Sequence, residues 1–269
     1  MNHHPRKRFG QHFLHDPHVI DRLLRAIQPK PGESLVEIGP GQGALTSGLL
    51  SAAGELDVIE LDRDLIPILQ ARCQNLGKLR VHQADALRFD LRTLGMPPPL
   101  RLIGNLPYNI STPLLFHLLE QADLIQDMYF MLQKEVVDRM TAQPGTADYG
   151  RLTIMLAWRC RTEALFMVAP GAFQPPPKVQ SAVVRLLPHR IPPFTVEDAD
   201  LFKRIVTQAF SQRRKILRNA LRGLIPAQAW MSSDLDPERR PEQISPLEYA
   251  QLTNAVMGFA PDGKQSSRV

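Results

Sequence analysis

Val36-Glu37-Ile38-Gly39-Pro40-Gly41-Gln42-Gly43-Ala44-Leu45-Thr46 is the stretch that decides how this chain folds. It joins an apolar run, Leu35–Ile38, to a helical stretch, Ala44–Ala52, through three glycines at alternate positions. Glycine has no Cβ, so such a turn lets the backbone come close to a ligand at the end of a strand. The spacing is one residue short of the dinucleotide pattern GxGxxG, and no GK[ST] is present to hold a triphosphate. Taken alone, the loop is equally a tight strand-to-helix turn.

Moving outward, further strands are expected at Leu56–Glu60, Leu79–Gln83, Leu100–Ile103 and Met128–Leu132. Most are apolar at nearly every residue, as central parallel strands covered on both faces are. Helical stretches at Arg63–Cys73 and Thr112–Glu120 lie between them. The alternation predicts a doubly wound α/β sheet with its ligand crevice at the carboxyl ends of the strands. Ala164–Val168 and Ser181–Leu187 are expected to add edge strands, as an antiparallel pair around Pro175-Pro176-Pro177. Past the Ile191-Pro192-Pro193 linker come a helical stretch near Asp198–Gly223, a break at Pro226 and a helix at Pro246–Met257. The expected division is a catalytic domain over 1–190, with an N-terminal arm at 1–18, and a small all-α domain over 191–269. Its polar end, Pro261–Val269, is expected to fray.

The chain has 269 residues, 43% hydrophobic and 22% charged, enough to bury a sizeable core without staples. Two distant cysteines, Cys73 and Cys160, exclude a disulfide scaffold, a cysteine-rich zinc site and an iron–sulfur cluster. No apolar run follows the basic N-terminus and no stretch can span a bilayer, so a soluble, cytoplasmic protein is expected. His3, His4, His12, His15 and His18 cluster without acidic or cysteine ligands at catalytic spacing, and no metal is expected.

Two carboxylates give the glycine loop its meaning. Glu60 ends the second expected strand, where an acceptor-only group can take both ribose hydroxyls. Asp85 follows the third, where it could accept the exocyclic amine of adenine. Either one alone is equally a solvated strand-end acid. Together with the loop they point to an adenosine cofactor, and S-adenosylmethionine fits best because it brings ribose and adenine but no pyrophosphate. Asn105-Leu106-Pro107-Tyr108 follows the fourth strand. The amine of adenine is a poor nucleophile, because its lone pair is delocalised into the ring. An Asn carbonyl and a nearby backbone carbonyl that accept its hydrogens favour a pyramidal nitrogen, its lone pair aimed at a sulfonium methyl. Pro107 helps hold a backbone carbonyl in place, and Tyr108 offers a flat face to an unstacked base. The tetrapeptide by itself also fits a strand-ending turn.

With these residues in view, the chain resembles the rRNA adenine N6,N6-dimethyltransferase family, in its branch acting on small-subunit rRNA. The resemblance is carried by Arg6–Leu14, Val36–Thr46, Val58–Leu65, Gln83–Leu87, Gly104–Leu119, Met131–Arg139, Tyr149–Leu152, Phe173–Leu186 and Phe210–Leu221. It implies a Rossmann-like class I S-adenosylmethionine-dependent methyltransferase sheet. It further implies a cofactor site formed by His12, Leu14, Gly39, Glu60, Asp85 and Asn105, with His12 standing where the family commonly has Asn. Phe173 resembles the aromatic that stacks on the target adenine opposite Tyr108; the alternative is that it packs under the proline run. The implied product is N6,N6-dimethyladenosine at two adjacent positions in the 3′-terminal hairpin of 16S rRNA. The implied partner is the immature 30S particle, and a monomer is expected. Large-subunit relatives share the glycine loop and the Asn-x-Pro-Tyr pattern, but the triple proline and Ser211–Asn219 resemble the small-subunit branch. Leu201–Gly223 carries seven basic residues and no acidic one, more than the whole-chain excess of +5. From it Arg213, Arg214, Lys215 and Arg218 are expected to hold RNA phosphates, although a charge run is also often only a solvated face. The rival reading is a ribosome-assembly factor whose binding matters more than methylation; another nucleic acid, such as DNA adenine, is a second.

Overall fold

Runs that are apolar at every position must be covered on both sides, and here they form the middle of a sheet. A computed structural model describes residues 12–259. Residues 1–11 of the expected arm, with His3 and His4, and the tail expected to fray at 261–269 lie outside the described residues.

The first unit takes the chain up to Val137 together with Arg161–Arg190. It contains strands β1 (Phe13–Leu14), β2 (Ser34–Ile38), β3 (Glu55–Glu60), β4 (Lys78–Gln83), β5 (Leu100–Asn105) and β6 (Ile125–Gln133). After them come β7 (Cys160–Val168), β8 (Phe173–Gln174) and β9 (Ser181–Pro188). Its helices are α1 (Pro17–Ile27), α2 (Thr46–Ala53), α3 (Ile66–Arg72) and α4 (Ser111–Leu119), with α5 (Lys134–Thr141) carrying the boundary. The seven-stranded sheet runs β4-β3-β2-β5-β6-β9-β7. The pairs β2·β3, β2·β5, β3·β4 and β5·β6 are parallel, and β9 is antiparallel to β6. This is a Rossmann-like sheet, of the kind the resemblance implies. β2 is buried at all five residues, and both its sequence neighbours α1 and α2 turn leucines into the same core. A two-stranded ladder, β1 against β8, stands apart from the sheet.

The parallel strands lie where the sequence puts them, and the two proline-flanked strands are neighbours at one end of the sheet, but only one of them is its edge. Ser181–Leu187 was expected at an edge; it lies in β9, which is internal, paired with β6 from Met128↔Leu186 to Gln133↔Ser181 on one side and flanked by the edge strand β7 on the other. Helix α1 escaped the sequence reading although its signal is clear: Asp16 accepts the His18 and Val19 N–H groups, and Pro17 opens the first turn.

The buried guanidinium of this sheet, Arg101, is paired. Arg101 and Asp127 stand opposite each other on β5 and β6, with Arg101 Nε 2.9 Å from Asp127 Oδ1. The same guanidinium reaches Glu33 at 2.8 Å and the Ile27 carbonyl at 2.7 Å. Each of its three nitrogens thereby has a partner, as burial demands.

The second unit takes Asp138–Cys160 with the chain from Ile191 on. It is helical: α6 (Arg151–Arg159), α7 (Ala199–Ser211), α8 (Leu217–Ala220), α9 (Ala227–Ser232) and α10 (Pro246–Met257). The chain passes from the first unit to the second between Arg190 and Ile191, and residues 138–160, read from sequence as catalytic domain, cluster with the second. The reason is packing: Tyr149 donates to the Ile244 carbonyl at 2.7 Å, and Trp158 meets Phe202 edge-on at 5.7 Å. The helical stretch expected over Asp198–Gly223 is also divided. Asp198 caps α7, which buries Leu201, Phe202, Ile205, Val206 and Ala209, and a turn at 212–215 separates it from α8.

Candidate active site

Parallel strands end on the same edge, so the residues that follow them meet. Gly39 follows β2, Glu60 ends β3, Asp85 follows β4 and Asn105 ends β5. They line one cleft of about 310 Å³, of the size that takes a nucleoside-bearing cofactor. His12, Leu14, Leu106, Pro107 and Tyr108 line it too, so every cofactor residue read from sequence is present in it. Among the described residues, no lysine or arginine does, which leaves a pyrophosphate without a counter-charge.

Gly39 and Gly41 adopt φ of +67° and +57°, the left-handed region that glycine enters without strain. A Cβ on Gly41 would in addition lie 3.1 Å from the Phe13 ring. The loop is held from below by Glu60, whose Oε2 accepts Gly41 N–H at 3.2 Å and whose Oε1 accepts Asp62 N–H at 2.8 Å. Burial pushes the Glu60 carboxyl above its ordinary range, and these two N–H donors oppose the shift. Each oxygen keeps a lone pair for an incoming hydroxyl. Asp85 Oδ1 accepts Leu87 N–H at 3.0 Å, and its other oxygen remains available. Glu37, quoted in the loop but not read as a site residue, also lines the cleft. Burial raises its carboxyl to about 7, against a 2.6 Å hydrogen bond from Thr46 Oγ1.

The Asn105 tetrapeptide is built from the sheet outward. A Cβ on Gly104 would lie 2.6 Å from the Ile38 carbonyl, so glycine there lets β5 and β2 approach just before Asn105. Asn105 Nδ2 donates to the His12 carbonyl at 2.9 Å. One of its two amide N–H groups is thus used, and Oδ1 remains an acceptor on the cleft. Of the two backbone carbonyls that follow Asn105, Pro107's takes the Ile110 N–H at 3.2 Å. Leu106's has no donor among the described residues. Tyr108 is fixed by a 2.6 Å hydrogen bond between its hydroxyl and Ser181 Oγ, a partner on β9 that no local signal reveals. Burial raises its phenol.

His12 is held by the small ladder. Phe13 pairs with Gln174 and Leu14 with Phe173, so the next step sets His12 opposite Pro175. Its Nδ1 lies 2.8 Å from the Pro175 carbonyl, and its ring stacks on Tyr108 with centroids 5.7 Å apart at 27°. Phe173 is not brought to the cleft. It is 1% exposed and packed with Leu14, Val168 and Ala172, because the β1–β8 pairing turns it inward; the packing alternative describes it as it stands.

The basic residues divide by their partners. Arg213 donates to the Ala147 and Thr146 carbonyls at 2.8 and 3.1 Å, with Glu242 3.8 Å away. Arg218 is paired with Glu238. Arg214 and Lys215 are exposed in the turn, not on a helix.

A model of the ribosomal RNA adenine dimethylase family matches residues 2–257. Ribosomal RNA small subunit methyltransferase A of Pseudomonas putida is 57% identical over 255 residues, which span 94% of this chain and 96% of that one. Among solved structures, a dimethyladenosine transferase from Plasmodium falciparum superposes with a TM-score of 0.78 at 27% identity, covering 90% of this chain and 96% of that one. The 23S rRNA methyltransferase ErmE does so with 0.70 at 25%, covering 91% and 99%.

Proposed function

The chain belongs to the ribosomal RNA adenine dimethylase family of S-adenosylmethionine-dependent methyltransferases, and on that premise we propose that it dimethylates N6 of two adjacent adenosines in the 3′-terminal hairpin of 16S rRNA. The substrate in this reading is the immature small subunit, and the enzyme a cytoplasmic monomer. No described helix is long and apolar enough to cross a membrane.

One observation carries the reading: Asn105 gives an amide N–H to His12 and keeps its carbonyl for the cleft, beside the Leu106 carbonyl, which takes no donor among the described residues. Two acceptors suit an NH2 group with two hydrogens. Bound there, the amine loses conjugation with its ring and its lone pair becomes available. When bound, S-adenosylmethionine supplies an electrophilic methyl on a sulfonium sulfur. Glu60 would hold its ribose, Asp85 its adenine amine, and the Gly39–Gly41 backbone would leave room for its chain. Tyr108 would carry the target base, and the displaced proton leaves the nitrogen after transfer. Arg214 and Lys215 would meet RNA phosphates. The assembly-factor reading is not favoured, since the relatives are named as methyltransferases.

The test is Asn105→Ala with unmethylated small subunits and radiolabelled S-adenosylmethionine. Transfer should fall at least a hundredfold, while S-adenosylhomocysteine affinity changes only a few-fold. Equal losses in both would refute the role given to Asn105.

A further inference from the structure

The ring stacked on Tyr108 is not a bystander to the base that Tyr108 is proposed to carry. We propose that the His12 imidazole stands in for the target adenine in the base-free protein, closing the base slot until the substrate displaces it. The proposal rests on the functional reading above and adds a specificity-determining residue to it.

Four observations converge. The imidazole lies nearly parallel to the Tyr108 ring, at 27° and 5.7 Å between centroids, a stacking geometry. A planar base cannot enter between rings already at stacking distance, so this face of Tyr108 is taken. The same ring hydrogen-bonds the Pro175 carbonyl at 2.8 Å, which ties the Tyr108 side of the slot to the proline segment. Imidazole is the five-membered half of a purine, so it covers an aromatic face and satisfies a polar edge as the base would. Lastly, His12 reaches Asn105 through its main chain only: the carbonyl accepts from Nδ2, and the side chain takes no part. The ring can therefore leave by rotation about its own side-chain bonds while Asn105 stays in place.

Why the slot needs a stand-in follows from its chemistry. An empty slot would expose the face of Tyr108 and leave the Pro175 carbonyl to water. An intramolecular ring covers both at little entropic cost, and it sets a threshold that only a base with comparable stacking and hydrogen bonding passes.

Two measurements test this. In the wild type, the proton resonances of the His12 ring should be shifted upfield by the Tyr108 ring current. Adenosine added to the protein saturated with S-adenosylhomocysteine should move them to solvent-like positions. Adenosine that binds without moving them would overturn the proposal. This arm needs no methylation, so it separates failure of the proposal from failure of the functional reading. Kinetically, His12→Ala at saturating S-adenosylmethionine should lower KM for unmethylated small subunits about five- to thirtyfold, the worth of one net hydrogen bond and a ring contact. His12→Phe keeps a ring on Tyr108 but not the Pro175 hydrogen bond, and should show a smaller fall than the alanine variant. A KM that rises or stays constant in the alanine variant, with its melting temperature retained, would make His12 a support for Tyr108 and refute the stand-in. Should the alanine variant fail to fold, the wild-type resonances and the phenylalanine variant still decide.

Discussion

Replacing Glu60 by Gln changes one atom at the centre of the cofactor cleft, and the structure says what that atom does. Both carboxylate oxygens already accept a backbone N–H, from Asp62 at 2.8 Å and from Gly41 at 3.2 Å. Each has one lone pair left for a ribose hydroxyl. In Glu60→Gln the amide NH2 replaces one oxygen, so one backbone N–H faces a donor and one hydroxyl loses its acceptor. The other hydroxyl keeps a neutral acceptor in place of a charged one. A hydrogen bond to a charged group is worth about 1.5–3 kcal/mol and a neutral one about 1 kcal/mol. The combined loss in cofactor binding is about 3 kcal/mol, a weakening of about a hundredfold. Strain at the loop is already present in the free protein and is offset there, since Gln removes a buried charge whose pKa burial has raised. It therefore belongs to stability and not to affinity. Isothermal titration of S-adenosylhomocysteine at pH 7.5, with thermal melts as the control for folding, measures both. Binding within threefold of wild type, at an unchanged melting temperature, would refute the assignment of Glu60 to the ribose.

Glu37 should make stability fall with pH. Unfolded, it ionises near 4.5 and in the native state near 7, so the native state holds its proton longer and stability drops across that window. At pH 8 Glu37→Gln should be up to about 3 kcal/mol more stable than wild type, and at pH 4.5 nearly equal to it; equal melting temperatures at pH 8 would contradict this. Asp127→Ala leaves the Arg101 guanidinium buried without its main partner and should cost about 3–5 kcal/mol in urea unfolding, whereas Asp127→Leu with Arg101→Met should cost less. Removing Arg214 and Lys215 should reduce the salt dependence of small-subunit binding by up to two charges, while Arg213→Ala should chiefly lower the melting temperature; the reverse pattern would reassign the two groups.

The cleft was legible in the sequence because its parts follow parallel strands, and parallel strands must end together. Gly39, Glu60, Asp85 and Asn105 needed no knowledge of contacts, only of strand order. What failed depended on partners distant along the chain. Phe173 faces inward because a two-residue ladder pairs it with Leu14, and so short a pairing leaves no periodic trace. Arg213 resembles its basic neighbours until the carbonyls of Thr146 and Ala147 are seen beside it. The break after α7 falls within Ser211-Gln212-Arg213-Arg214-Lys215, which contains neither Gly nor Pro to announce it. His12, noted from sequence only as a departure from the family pattern, takes its meaning from a ring and a carbonyl more than ninety residues away.

The central claim is that this cleft places adenine amines of the small subunit before a sulfonium methyl. Mass spectrometry of nucleosides from unmethylated small subunits, incubated with the protein and S-adenosylmethionine, tests it most directly. The account predicts N6,N6-dimethyladenosine at two adjacent positions of 16S rRNA. Subunits that bind the protein yet stay unmethylated would contradict it.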